Sequence, residues 1–271
     1  MPCNTPVPGS TSSWALMSLP SRLFRYENIS LQTIRNLKNQ VVYLGAPRNF
    51  NDPYDCAISA ALGDLSDDGL SQFLNGAQVA APAEEVKALI KQGATKAISD
   101  IAESFINGRG ISCFTEKNDN LLMWSHYADG GRGICLEFST SESLFEKAKK
   151  VNYVDDIPRL SLDRLLCENN YEDVMELFRT KSTAWQYEQE WRVMHEKAGT
   201  AWTYDSKSLT GIYFGPSAPE DLVNIVCLVV LGQNEHVRFY TGHRSNEQFK
   251  VGFTQFEYIS HLDAVKRGLK A

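Results

Sequence analysis

Trp185-Gln186-Tyr187-Glu188-Gln189-Glu190-Trp191-Arg192-Val193-Met194 reads as an extended segment carrying two carboxylates two residues apart. Alternate side chains of a strand share a face, so Glu188 and Glu190 are expected to point the same way. Like charges held side by side raise one another's pKa, which is commoner in sites than on solvated surfaces. The aromatic residues Trp185, Tyr187 and Trp191 around the pair predict a partly dry cleft. The competing reading is a surface strand whose glutamates meet basic partners across the sheet, as Arg192 on the same face allows.

Working outward, strands are predicted at Leu23–Tyr26, Val41–Leu44, Gly110–Thr115, Gly133–Phe138, Val151–Val154 and Leu209–Gly215, and strand-like segments at Val237–Tyr240 and Phe249–Tyr258. Leu31, Ile34 and Leu37 recur at helical spacing, predicting a short helix over 31–38, and Leu121–Tyr127 reads as another. Arg48 to Asp55, through Asn49-Phe50-Asn51-Asp52-Pro53-Tyr54, is a turn closed by Asn and Asp side chains and Pro53, expected as scaffolding. Two helix-rich stretches, near 65–108 and 160–180, are expected as insertions on a sheet, and Ser217–Val230 as a helix running into a buried strand. Strands and helices do not alternate regularly, and no glycine-rich phosphate loop follows a strand. The prediction is therefore a mixed α+β sheet in one domain over 21–271, preceded by a flexible tail over 1–20, and not a Rossmann or P-loop fold.

Among 271 residues, 43% are hydrophobic, enough to bury a full core. A net charge of -6 excludes a general electrostatic footprint for nucleic acid and leaves only a local basic groove open. Six cysteines are scattered without a Cys-x-x-Cys or Cys-His ligand spacing, as expected of buried thiols in a reducing compartment. The longest predominantly apolar run, Val223–Leu231, spans about nine residues, against about twenty needed to cross a bilayer. A soluble, cytoplasmic protein is expected.

The densest chemical block runs from Cys113-Phe114-Thr115-Glu116 through Asn120-Leu121-Leu122-Met123-Trp124-Ser125-His126-Tyr127-Ala128-Asp129 to Gly130-Gly131-Arg132-Gly133. Polar groups, Trp124, Tyr127 and three close glycines form an expected pocket wall. The alternative is a helix buried through Leu121, Met123 and Trp124, with His126 satisfied by a carbonyl. His126 lacks a second ligand at helical spacing, so no metal is expected. Arg25 sits in an apolar strand and requires an anionic partner, either one of the glutamates or the phosphates of a ligand.

Together, Leu23-Phe24-Arg25-Tyr26, Asn49–Asp55, Cys113-Phe114-Thr115, Leu122–Ala128, Gly133–Phe138 and Tyr187–Arg192 resemble an uncharacterised bacterial family of unknown function, over about residues 23 to 215. Their order is similar to that of ADP-ribosyltransferases of the Arg-Ser-Glu class, with an Arg on the first strand, a Ser/Thr strand in the middle and a Glu-x-Glu strand late in the chain. The resemblance implies a split mixed sheet with NAD, as substrate, in the cleft between its halves. It assigns NAD phosphates or ribose to Arg25, beside Tyr26, and orientation of the catalytic acid to Thr115. Cys113 departs from that pattern, standing where the family's strand carries its first Ser. Glu190 matches the catalytic carboxylate and Glu188 the residue that positions the acceptor. Trp185 and Tyr187 fall on the target-selecting loop. Trp124 or Tyr127 is expected to stack on the nicotinamide, with His126 nearby. The implied activity is transfer of ADP-ribose to a macromolecule or small molecule, or NAD hydrolysis, in a toxin or defence effector. A non-catalytic ligand- or protein-binding module on the same fold is the alternative. A metal hydrolase is less favoured.

Overall fold

A computed structural model of the chain describes residues 18–56, 66–76, 84–141, 143–167 and 172–269. Most of the expected tail therefore lies outside the described residues. Its last residues are not loose, because Leu19 packs on the main core and the Pro20 carbonyl accepts the Thr140 hydroxyl.

β1 (Arg22–Glu27) leads into α1 (Leu31–Lys38), where the Ser30 hydroxyl caps the Thr33 amide at 3.1 Å and Arg35 and Lys38 meet the negative helix end. β2 (Val41–Leu44) follows, then α2 (Asp67–Gly76) and the long α3 (Glu84–Gly108). β3 (Gly110–Thr115) precedes α4 (Leu121–Tyr127), which starts where the Asn120 side chain accepts the amides of Leu122 and Met123. Then come β4 (Ile134–Ser139), β5 (Lys149–Lys150), β6 (Asn152–Val154), α5 (Leu162–Cys167), α6 (Glu172–Leu177) and β7 (Thr180–Ser182). The remainder is β8 (Glu190–His195), β9 (Thr200–Thr203), β10 (Leu209–Phe214), α7 (Glu220–Leu231), β11 (Arg238–Arg244), β12 (Val251–Phe256) and α8 (His261–Lys266).

Among the described residues, eight strands form one mixed sheet in the order β12-β11-β10-β4-β1-β3-β8-β5, and two small sheets pair β2 with β9 and β6 with β7. The α+β class is as expected. Ser217–Val230, however, contains no strand. β10 and β11 run parallel, so the chain must cross over between them, and α7 is that crossover. Among the described residues, no helix is long and apolar enough to cross a membrane.

Three apolar clusters hold the layers together. One face of the sheet buries Leu23, Phe114, Phe138, Ile212 and Phe214 against Val226, Cys227 and Val230 of α7. The other face carries Tyr26, Cys135 and Tyr213 under Met123 and Trp124 of α4. The two expected insertions pack against each other: Leu70, Leu74, Ala102 and Ile106 meet Leu162, Val174, Leu177 and Phe178 beside Ile111. Each buried Leu, Ile, Val or Phe here contributes roughly 1.5–3 kcal/mol relative to exposure, so this lobe has a core of its own. Cys56, Cys135 and Cys227 are buried free thiols.

The feature that positions the site is a fork. β1 matches β4 along six residue pairs and β3 matches β8 along six, but β1 and β3 share only Phe24↔Thr115. Beyond that pair, β3 turns its backbone to Gly45, with Gly45 N–H to Ile111 O at 2.9 Å and Ile111 N–H to Gly45 O at 2.8 Å. The sheet opens between β1, the last of five strands on one side, and β3, the first of three on the other.

Candidate functional site

A cleft of about 490 Å³ occupies the fork. Arg25, Tyr26, Thr115, His126, Tyr127, Glu188 and Glu190 all line it, with Phe24, Tyr43, Asn51, Asp55, Cys113 and Lys181. Strand alternation puts Glu190 on the face of Thr115 and Phe24, and Arg25 on the opposite face. The two border one cavity because the sheet is open between their strands.

Glu188 and Glu190 do not share a strand. Thr183–Glu188 is a 3-10 turn begun by the Ser182 side chain, and Gln189 ends it in the left-handed region (φ 46°, ψ 52°) before β8 starts at Glu190. A strand here would leave the Ser182 cap unmade and the Glu188 carbonyl without the Thr115 hydroxyl, which donates to it at 2.5 Å. The turn still brings both carboxylates to one cation. Lys181 Nζ lies 2.6 Å from Glu188 Oε2, 3.2 Å from Glu190 Oε2 and 3.6 Å from Asp55 Oδ2.

Arg192, fully buried, completes the cluster. Its Nε donates to Glu190 Oε1 at 2.7 Å, and its two terminal nitrogens grip Asp55 at 2.8 and 2.6 Å. A further N–H reaches the Phe178 carbonyl at 3.0 Å, and the guanidinium lies over the Phe50 ring. Three carboxylates thus face two cations in a dry setting, where each charge is tolerated only through its partners. Burial pushes the Glu190 carboxyl up, but the charges of Arg192 and Lys181 outweigh it and lower its pKa to about 2. Burial raises the Glu188 carboxyl, and Lys181 and the Tyr127 hydroxyl offset this only in part. Burial also opposes the Lys181 charge, yet Glu190, Glu188 and Asp55 raise its pKa above the ordinary value. The Cys113 thiol, raised by burial and by Glu190, is held neutral beside the pair.

An aromatic wall stands over Glu188. Tyr127 donates its hydroxyl to Glu188 Oε1 at 2.6 Å and receives the Asn51 amide at 3.1 Å. His126 Nδ1 lies 2.9 Å from the Tyr187 hydroxyl, and its ring contacts Trp185 edge-on. Tyr187 therefore braces His126, and Trp185 lines a neighbouring cavity of about 380 Å³ that shares Lys181 with the main cleft. Trp124 does not reach the cleft. It is buried beneath it, its indole N–H on the Asn118 carbonyl at 2.7 Å and its ring edge-on to Tyr26, because the α4 face carrying Met123 and Trp124 turns inward. Arg25 finds its anion on its own strand, with Nε 2.7 Å from Glu27 Oε1, and donates to Ser112.

Sequence reasoning misses Asp55 and Lys181 as site residues and treats Arg192 only as a possible neutraliser. Arg192 is visible two positions after Glu190 in β8. Asp55 lies 137 residues from Arg192, so only the tertiary fold joins them. Lys181 is nine residues from Glu190 and meets it only through the 3-10 turn. Among the described residues, no group of three or more His, Cys, Asp or Glu side chains is placed to hold a metal ion; Lys181 and Arg192 sit between the clustered acids.

Residues 123–193, from α4 to β8, match a family model described as a protein of unknown function (DUF2971). The matched segment contains the aromatic wall, Lys181 and the glutamate pair. No curated protein and no solved structure matches the chain.

Proposed function

We propose that this chain is an NAD-consuming enzyme resembling the ADP-ribosyltransferases, acting by transfer or hydrolysis at the sheet fork. One observation carries this reading: Arg25 on β1, Thr115 on β3 and Glu190 on β8 line a single cleft opened by a fork in a mixed sheet. The cleft's volume lies within the roughly 300–1,000 Å³ of small-molecule sites.

The two glutamates suit different parts of the chemistry. Breaking the bond between nicotinamide and ribose sends the electron pair to nicotinamide and leaves positive charge on the sugar. Glu190, held ionised by Arg192 and Lys181, supplies a fixed negative charge for that sugar. Glu188, raised by burial, is the group to accept the proton of an incoming nucleophile. Tyr127 offers the aromatic face for the cationic ring, and Arg25 the guanidinium for phosphates.

A second reading is a ligand-binding module without turnover, favoured by the saturation of both glutamates: their oxygens already engage Lys181, Arg192 and Tyr127. Incubation with NAD, with and without cell lysate, separates the two. Release of nicotinamide that is lost in Glu190→Gln supports the enzyme. NAD-dependent thermal stabilisation without release supports a binding module for NAD, and neither effect at millimolar NAD overturns the enzyme reading and leaves a module for another ligand or a protein.

A further inference from the structure

On the face of the sheet that carries Glu190, a row of rings leads away from the cleft. Phe24, part of the cleft lining, meets the Tyr213 ring edge-on at 6.0 Å, and Tyr213 stacks on Tyr240 at 4.4 Å with the planes 6° apart. The register explains the alignment: Tyr213 pairs with Tyr240, and Tyr240 with Gln255 on the edge strand β12. Paired residues share a face. Tyr240 and Phe24 are half-exposed, and Gln255 and Arg238 are exposed on the same side. The opposite face of these strands is sealed by Phe214, Phe239 and Phe256 in the main core.

Cations flank the rings. Arg238 pairs with Gly211 two positions before the tyrosine pair, and Arg244 follows Tyr240 on the same face of β11. Arg238, Arg244 and the adjoining Lys250 are exposed and make no ion pair or side-chain hydrogen bond among the described residues. Arg22, at the near end, lies 3.5 Å from Glu137, whose carboxylate also accepts the Tyr213 hydroxyl at 2.6 Å. The acids nearby are Glu247 in the hairpin turn, Asp119, whose carbonyl accepts the Val251 amide at 3.3 Å, and Glu257, the last held by Arg267 at 3.0 Å. On a chain of net charge -6, unpaired arginines at the two ends of β11, on the face that carries Tyr240, indicate an anionic partner.

We propose that this face binds a short single-stranded nucleic acid, its bases stacking on Tyr240 and Phe24 and its phosphates meeting Arg238 and Arg244. Every base has a stackable face, and flexible single strands splay their bases onto aromatic platforms as duplexes do not. Four strand spacings separate β1 from β12; at about 4.8 Å each they span roughly 19 Å, room for a few nucleotides. The inference goes beyond the NAD reading and does not depend on it.

The test is fluorescence anisotropy of the full chain, without NAD, against labelled single-stranded DNA, single-stranded RNA and duplex DNA of one length, at several salt concentrations. Single strands should bind at low salt more tightly than duplex, and the DNA and RNA arms show whether the 2′-hydroxyl is read. Arg238→Glu should weaken binding and flatten the salt dependence by about 0.7 in log–log slope, the share of one phosphate. Tyr240→Ala should weaken it about tenfold and leave the slope unchanged. Both variants are checked for unchanged thermal unfolding, and Arg238, being exposed, remains informative if Tyr240→Ala unfolds. Affinity weaker than about 10⁻⁴ M at low salt, equal binding of duplex, or indifference to Arg238→Glu overturns the proposal.

Discussion

Arg192→Met isolates the charge cluster most cleanly. The substitution keeps much of the side chain's length and apolar stem but removes all contacts to Asp55, Glu190 and the Phe178 carbonyl. Asp55 and Glu190 then share only Lys181, which lies 3.6 and 3.2 Å from them and already holds Glu188. Removing one partner of a buried ion pair typically costs about 3–5 kcal/mol, because the remaining charge is stranded. With a urea dependence of roughly 2 kcal/mol/M, that corresponds to a midpoint lower by about 2 M. Arg192→Lys should not rescue it, since an ammonium cannot grip Asp55 with two parallel bonds. Adding Asp55→Asn to Arg192→Met should recover part of the loss, because it removes one stranded charge. The assay is urea unfolding followed by tryptophan fluorescence at neutral pH. A deficit below about 1 kcal/mol would refute the reasoning, since exposed pairs have that value and the cluster would then be solvated.

Acid should unfold the protein through the same cluster. The folded pKa of Glu190 is depressed to about 2 from an ordinary 4.5, so its contribution is full above about 4.5 and is lost as pH falls toward 2; acid titration of stability should show this window, diminished in Glu190→Gln. Glu188, whose folded pKa is raised, acts with the opposite sign and blunts the slope. Under the NAD reading, Glu190→Gln should lower nicotinamide release on the order of a hundredfold with NAD binding kept, whereas Glu188→Gln should reduce transfer to an acceptor more than hydrolysis; a thermal unfolding check accompanies both, because Glu190→Gln leaves Lys181 and Arg192 with one anion fewer. Gly133→Ala should destabilise by about 2–3 kcal/mol or more in thermal unfolding, because a Cβ there would stand 2.3 Å from the Glu27 carbonyl oxygen and 2.9 Å from Ala128 Cα, both backbone atoms that cannot give way.

Local pattern carries much of the fold. α1 and α4 begin and end where their spacing and caps place them, and β1 to β4 fall within a residue or two of the expected segments. The departures share a cause. Alternation from Tyr187 to Trp191 points to a strand through Glu188, but the Ser182 cap and a left-handed Gln189 prevail, and neither has a strong signature in a run of Gln and Glu. The apolar end of Ser217–Val230 resembles a strand, yet the parallel pairing of β10 and β11 requires a crossover helix, a tertiary demand that no local window contains. β7 and β9 are short strands in small outlying sheets, and three or four residues are too few to show a period. At the site, the aromatic and acidic residues are legible by type and grouping. Their partners Asp55 and Lys181 are not, since what a charge meets across 137 residues is a property of the assembled chain.

The bridge between Gly45 and Ile111 makes the fork a fixture of the fold. Were β3's lower backbone unsatisfied, β1 would have every reason to zip along it and close the cavity. With those amides already bonded, closure would exchange existing hydrogen bonds for equivalent new ones and gain nothing. Whatever enters the cleft meets an opening built in advance, so little of its binding free energy is diverted to prising strands apart, and the unliganded and occupied backbones should superimpose closely at β1 and β3.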